Sequence, residues 1–359
     1  MASINSGISH YSGRKVLIGG KEYLYFGGTN YLGTHVHPFL REKLIQAVKK
    51  YGVHLSITRR SSVGFSLYEQ AEEALANWMG VEKVLLVSSG FTACQITLKI
   101  LREEKNIHLL PSFHAAHGES LSQIQNHVLA SSLPSGKEKN TAFIGCPLDH
   151  LLLEEMSTDW MEGLPSSSMV VWDDSHLLGI RGKDGEGSLS QIPDGVLGLS
   201  MGSLGKGLGL PAGWVAGPMF WLDRIQGSPF YGGASMPNLL FMEVLLALLK
   251  ILPSLRESLQ RNVDLFLEGL QEQGLDSEFD YLPAYPIFGT ADHKLFSFLQ
   301  ERGILISSFS YPSPSSPLRT RLVISACHEK EDLHRLISAL KTFFVEIGKA
   351  DPSGPAYLR

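Results

Sequence analysis

The sequence predicts an α/β protein with a large, mostly parallel sheet domain and a smaller α/β domain at its C-terminus. Two patterns predict it, and the chain length permits it. Short apolar runs (Val84–Val87, Ile107–Leu110, Met169–Trp172 and Gly195–Leu199) alternate with helical stretches such as Phe91–Arg102. That alternation marks a sheet covered by helices on both faces. Past Leu252-Pro253 the pattern changes: helices over Arg256–Gln273, Lys294–Arg302 and Lys330–Ile347 surround few strands, Leu322–Ile324 among them. A chain of 359 residues can bury one large core and a second, smaller one. The expected organisation is an N-terminal segment over 1–40, a large domain over 41–250 and a small domain over 251–359.

Individual elements follow from spacing and punctuation. Glu69–Met79 is a helix because Ala71, Leu75 and Trp78 recur at helical intervals. The most apolar run, Leu239–Leu252, is interrupted by Glu243 and Lys250 and falls short of the ~20 apolar residues of a bilayer span. It reads as a buried helix, and no membrane association is expected. Tyr311–Pro317, dense in proline and serine, reads as a loop with fixed kinks, and the tail Asp351–Pro355 as frayed. A net charge of -5 leaves no basic surface for nucleic acid to bind. Cys94, Cys146 and Cys327 match no metal-ligand spacing and cannot all pair, so no metal is expected. With Met1–Asn5 lacking the start of a secretory signal, the cysteines read as reduced thiols of a cytoplasmic protein.

The chemistry centres on Lys206, set in Ser203-Leu204-Gly205-Lys206-Gly207-Leu208-Gly209. Upstream, the run Ser168–Trp172 ends in Asp173-Asp174-Ser175-His176. A lysine among glycines, preceded by an acid at a strand end, is the pairing that pyridoxal 5'-phosphate (PLP) needs. The amine joins the cofactor aldehyde, and the acid keeps the pyridine nitrogen protonated so that the ring accepts electrons. Alone, an exposed lysine is a solvated surface group and an Asp after an apolar run is a helix cap. Here Ser89-Gly90, Asp173 and Lys206 all follow predicted strands, at the carboxyl ends where ligands of parallel sheets collect.

These residues resemble a known family, the α-oxoamine synthases of fold-type-I PLP-dependent enzymes, which includes 8-amino-7-oxononanoate synthase, 2-amino-3-ketobutyrate CoA ligase and serine palmitoyltransferase. The resemblance runs from about Tyr23 to Ile347. It is carried, in the family's order, by Tyr23–Phe26 with Thr29–Gly33 and His37-Pro38, by Val87–Ala93, and by Phe113-His114-Ala115-Ala116. Asp173–His176, Ser203–Gly207, Ser235-Met236-Pro237 and Arg321 with Ser325–His328 complete the series.

The resemblance implies a role for each. Lys206 would hold PLP covalently and shuttle the α-proton of a bound amino acid. Asp173, three residues before the motif histidine, would pair with the pyridine nitrogen, with Asp174 as the alternative carboxylate. His176 would meet the phenolic oxygen and His114 would stack on the ring; neighbouring His117 reads as a loop histidine. Ser89, Gly90 and Phe91 open a helix whose free N–H groups and dipole suit a phosphate, and Ser203 would add a hydroxyl. Arg321 would clamp the substrate carboxylate, with Arg319 competing because residues two apart on a strand share a face. Thr29 stands where the family has a substrate-side asparagine. The resemblance also implies a homodimer with shared active sites.

Several positions depart from the family. Val53–Arg60 is bulky and β-branched where the family is glycine-rich, Leu177 replaces a glycine, and Gly233-Ala234 precede Ser235 where phosphate hydroxyls are usual. A segment before Asp173 carrying a Ser-Met-Asp-Gly-like motif reads as missing or much shortened. These departures fall on the acyl-donor side, while the cofactor residues are intact. The function implied first is decarboxylative condensation of an amino acid with an acyl-CoA or acyl-carrier thioester, as in biotin biosynthesis. A PLP-dependent aminotransferase or other α-carbon reaction is the alternative, and a non-catalytic synthase partner subunit the third reading.

Overall fold

The computed structural model describes residues 7–347 except 56, 63, 119–139 and 312, with the side chains of 346 and 347 also left out. The expected frayed tail therefore lies outside the described residues. The chain forms two contact units, residues 1–33, 151–153 and 257–359 in one and 34–150 with 154–256 in the other.

The first unit is built on a seven-stranded sheet contributed by both chain ends. Its strands are β1 (Ile8–Tyr11), β2 (Lys15–Ile18), β3 (Lys21–Phe26), β12 (Asp280–Tyr281), β13 (Ile287–Thr290), β14 (Ile304–Ser310) and β15 (Leu318–Val323). The order is β1-β2-β3-β14-β15-β13-β12, antiparallel except where β14 runs parallel to β3. The N-terminal stretch, expected as a segment of its own, thus completes the C-terminal sheet. Two arms of Arg14 grip Asp332 (2.6 and 2.9 Å), tying the N-terminal hairpin to the helix Lys330–Lys341.

The second unit holds a six-stranded sheet with its own short hairpin, β7 (Leu148–Asp149) and β8 (Glu154–Glu155), alongside. Its strands are β4 (Lys83–Val87), β5 (Asn106–Leu109), β6 (Thr141–Gly145), β9 (Met169–Asp173), β10 (Leu197–Ser203) and β11 (Gly213–Gly217). The order is β4-β11-β10-β9-β6-β5, and only β11 runs against the rest. The mostly parallel α/β architecture expected from the alternating pattern is what forms. Helices α1 (Pro38–Tyr51) and α2 (Ser66–Met79) precede β4, and α3 (Gly90–Leu101) follows it; side chains alternate across β9, Met169 and Val171 packing with α3, Val170 and Trp172 with Phe143 and Met161 on the other face. By the same alternation Asp173 belongs to the α3 side.

One expectation fails at Pro253. Rather than two helices separated there, residues Leu240–Glu272 form a single helix with Pro253 inside it. A proline costs such a helix a hydrogen bond and about 3 kcal/mol. The apolar stripe Leu245, Leu248, Leu252, Leu255, Leu259, Val263 and Phe266, all buried, continues through it without losing phase. Burying a leucine-sized side chain contributes ~1.5–3 kcal/mol, so the stripe outweighs the break. The closing helix likewise ends earlier than expected, at Lys341, and widens into a π-helical turn over Thr342–Ile347.

Candidate active site

The carboxyl ends of the second unit's strands line a cavity of about 230 Å³. β4 leads into Ser89, Gly90 and Phe91 at the start of α3, β9 ends on Asp173, and β10 leads to Ser203 and Lys206. His114 and His176 complete the predicted set, so every expected cofactor residue faces one cavity. Glycines let these parts approach. A Cβ on Gly90 would lie 2.7 Å from that of Ser203, and one on Gly213 only 2.1 Å from the Ser89 carbonyl oxygen. Ser89 caps α3, its Oγ accepting from Thr92 N–H at 3.1 Å. The Gly90 and Phe91 N–H groups sit in the first turn, where no intrahelical acceptor exists.

A hydrogen-bonded line joins the acid to the lysine loop. Ser175 N–H donates to Asp173 Oδ1 at 3.0 Å, Ser203 N–H donates to Ser175 Oγ at 2.9 Å, and Gly205 N–H donates to Ser203 Oγ at 3.1 Å. The loop itself is closed by main-chain bonds from Leu204 to Ala212 and from Leu210 to Leu204. Lys206 is therefore presented from a braced turn, half-buried.

The two adjacent acids have opposite environments. Burial pushes Asp173 up, but hydrogen bonds from the His117 side chain and the Ser175 N–H hold it well below the usual carboxylate range. Asp174, fully buried, is raised by burial against hydrogen bonds from Ser200 Oγ (2.7 Å) and Ser188 N–H (3.0 Å). Asp173 faces the cavity as an anion, and Asp174 braces the sheet. Of the two, only Asp173 lines the cavity and presents an ionised carboxylate to it. Burial lowers the His114 pKa despite Asp173, so its ring is neutral at neutral pH. His176 stacks on His150, centroids 3.9 Å apart and planes within 12°.

One residue and one segment escaped the sequence reading. His117, read as a loop histidine, is fully buried with Nε2 2.9 Å from Asp173 Oδ2. Its spacing of three from His114 was the available signal, because one short turn carries both. Ahead of Asp173, β6, a strand the sequence reading did not mark, leads into Cys146–His150, of which Cys146, Leu148 and His150 line the cavity. The apolar run Thr141–Gly145 was its available signal. Burial raises the Cys94 and Cys146 thiols well above their ordinary range, so both are protonated, and the three cysteines are free.

Thr29 and Arg321, expected on the substrate side, lie in the first unit. Arg321 is buried on β15 with its guanidinium 4.8 Å from the Phe309 ring centroid, and Arg319, on the same face, is only half-buried. Thr29 is half-buried and its carbonyl accepts from Tyr31 N–H at 3.0 Å. The departing stretches Val53–Arg60 and Gly233–Ser235 come together: His54, Leu55, Ile57 and Thr58 line a second cavity of about 250 Å³ with Ala234 and Ser235.

PLP fits the residues at the first cavity. An ionised acid at its inner wall suits the pyridine nitrogen, a helix start with free N–H groups suits the phosphate, and a lysine stands on a braced turn beside them. The comparisons agree. The profile of the family "Aminotransferase class I and II" matches residues 165–340. The 8-amino-7-oxononanoate synthase of Petrotoga mobilis is 29% identical, the alignment covering 94% of this chain and 91% of the relative. That of Thermoanaerobacter pseudethanolicus is 27% identical over 94% and 91%. Among solved structures, Sphingomonas wittichii serine palmitoyltransferase superposes with a TM-score of 0.77 at 15% identity, covering 96% of this chain and 93% of that one. The 8-amino-7-oxononanoate synthase of Francisella tularensis gives 0.66 at 16%, covering 91% and 98%. Fold, site and relatives define a PLP-dependent transferase of fold type I. Within that class the chain is similar to the α-oxoamine synthases, through its 8-amino-7-oxononanoate synthase relatives. Among the described residues no helix is long and apolar enough to cross a membrane.

Proposed function

We propose that this enzyme condenses an amino acid with an acyl thioester, with loss of carbon dioxide, in the manner of an 8-amino-7-oxononanoate synthase. The observation that carries the reading is Asp173, kept anionic though buried, at a cavity that also presents Lys206. Bound there, PLP supplies an aldehyde that captures amines and a cationic ring that stores an electron pair from the α-carbon. The chain's residues supply the rest. Lys206 would anchor the cofactor through its amine and would serve as the base for the substrate's α-proton. Asp173 holds the proton on the ring nitrogen, His114 fixes the ring plane, and His176 orients the phenolic oxygen. Ser89, Gly90, Phe91 and Ser203 hold the phosphate, Arg321 clamps the substrate carboxylate beside Thr29, and two copies of the chain complete each other's sites.

The cavity formed by Val53–Arg60 and Gly233–Ser235 favours a second reading, α-carbon chemistry without an acyl donor, such as transamination. Titrating the holoenzyme with alanine, glycine and serine, with and without pimeloyl-CoA, separates the two. Condensation predicts free CoA thiol and carbon dioxide only when both substrates are present. Cofactor converted to its pyridoxamine form by an amino acid alone would select transamination. In either case Asp173→Asn should slow turnover by on the order of 100-fold or more.

A further inference from the structure

His117 contacts Asp173 through its side chain, and no proposed step uses it. Its imidazole is fully buried, and its hydrogen bonds determine where its proton sits. The main-chain N–H of His114 donates to Nδ1 at 3.2 Å, so Nδ1 keeps its lone pair and the proton is on Nε2. That Nε2–H donates to Asp173 Oδ2 at 2.9 Å. The Ser175 N–H occupies Oδ1 at 3.0 Å, and the protonated Cys94 thiol lies 3.8 Å from Oδ2. Both carboxylate oxygens therefore accept from fixed donors, which hold the rotamer and favour the charged form, and Oδ1 retains a lone pair for a further partner.

We propose that His117 is a positioning residue for the cofactor's pyridine nitrogen, a fixed neutral donor that keeps the Asp173 carboxylate oriented and ionised. This rests on the PLP reading above. Through its Nδ1, the same imidazole also pins the main chain of His114, so one side chain sets both the group at the ring's edge and the group on its face. A core-filling histidine would need neither a defined tautomer nor a carboxylate partner.

Two substitutions divide its functions. Asparagine places an acceptor near Nδ1 and removes the donor to Asp173; glutamine places a donor near Nε2. His117→Asn should weaken PLP binding by about tenfold or more, the loss expected when a charged group forfeits a buried hydrogen bond, while His117→Gln stays within about threefold of wild type. With PLP labelled with ¹⁵N in the ring, the nitrogen should report as protonated at neutral pH in wild type and His117→Gln. In His117→Asn it should shift toward the unprotonated value. Wild-type affinity and a protonated ring nitrogen in a folded His117→Asn would overturn the proposal. Should both variants fail to fold, the histidine side-chain spectrum of the wild-type protein decides, with Nε2–H supporting the proposal and Nδ1–H or a cation overturning it. Wild-type protein that binds no PLP would instead remove the functional reading, and this inference with it.

Discussion

At the scale of single residues, fixed hydrogen bonds decide protonation in this protein. His328 shows it away from the active site. Ser325 N–H donates to its Nδ1 at 3.0 Å, and its Nε2–H donates to the Tyr25 carbonyl at 3.0 Å. Protonating Nδ1 would break the first bond inside a core, and burial lowers the pKa from 6.5 to about 4, despite Tyr25 and Asp332 favouring the cation. The unfolded chain binds that proton near pH 6.5 and the folded chain does not. Stability from this site is therefore complete above pH 6.5 and falls as pH drops toward 4, by about 3 kcal/mol in all. Denaturant unfolding at pH 7, 5.5 and 4.5 should show a smaller acid loss in His328→Gln than in wild type; equal losses would refute the assignment. The sequence marked His328 only as part of a motif, since a tautomer is set by neighbours distant along the chain.

At the scale of elements, the site exists because three of them nearly touch. β11 reaches the start of α3 at Gly213, whose position leaves no room for a Cβ beside the Ser89 carbonyl, and Gly90 meets Ser203 in the same way. Gly213→Ala must displace either β11 from β4 or the first turn of α3. We expect a loss of about 1–3 kcal/mol in unfolding free energy together with weaker PLP binding. A variant with wild-type stability and affinity would show that the close approach is dispensable. The elements themselves were largely legible: β4, α3, β5, β9 and β10 stood out as apolar runs and helical repeats. Pro253 misled because a local rule was applied where an uninterrupted buried stripe governs.

At the scale of the whole chain, what the sequence concealed was long-range. The parallel pairing of β14 with β3 sets Ile304 against Leu24, and no local pattern reports a partner so far away. The same holds for His117 and Asp173, which read as unrelated until β9 and the turn after β5 bring them into contact. The convergence of Ser89, Asp173 and Lys206 on one cavity, by contrast, was legible, because each follows a strand of one mostly parallel sheet and such strands end at one edge. The central claim is that this edge holds PLP on Lys206. Borohydride treatment of the PLP-loaded protein, followed by peptide mass mapping, tests it most directly. The account predicts a single phosphopyridoxyl group on Lys206, absent from a folded Lys206→Ala variant; label scattered over surface lysines, or none at all, would contradict it.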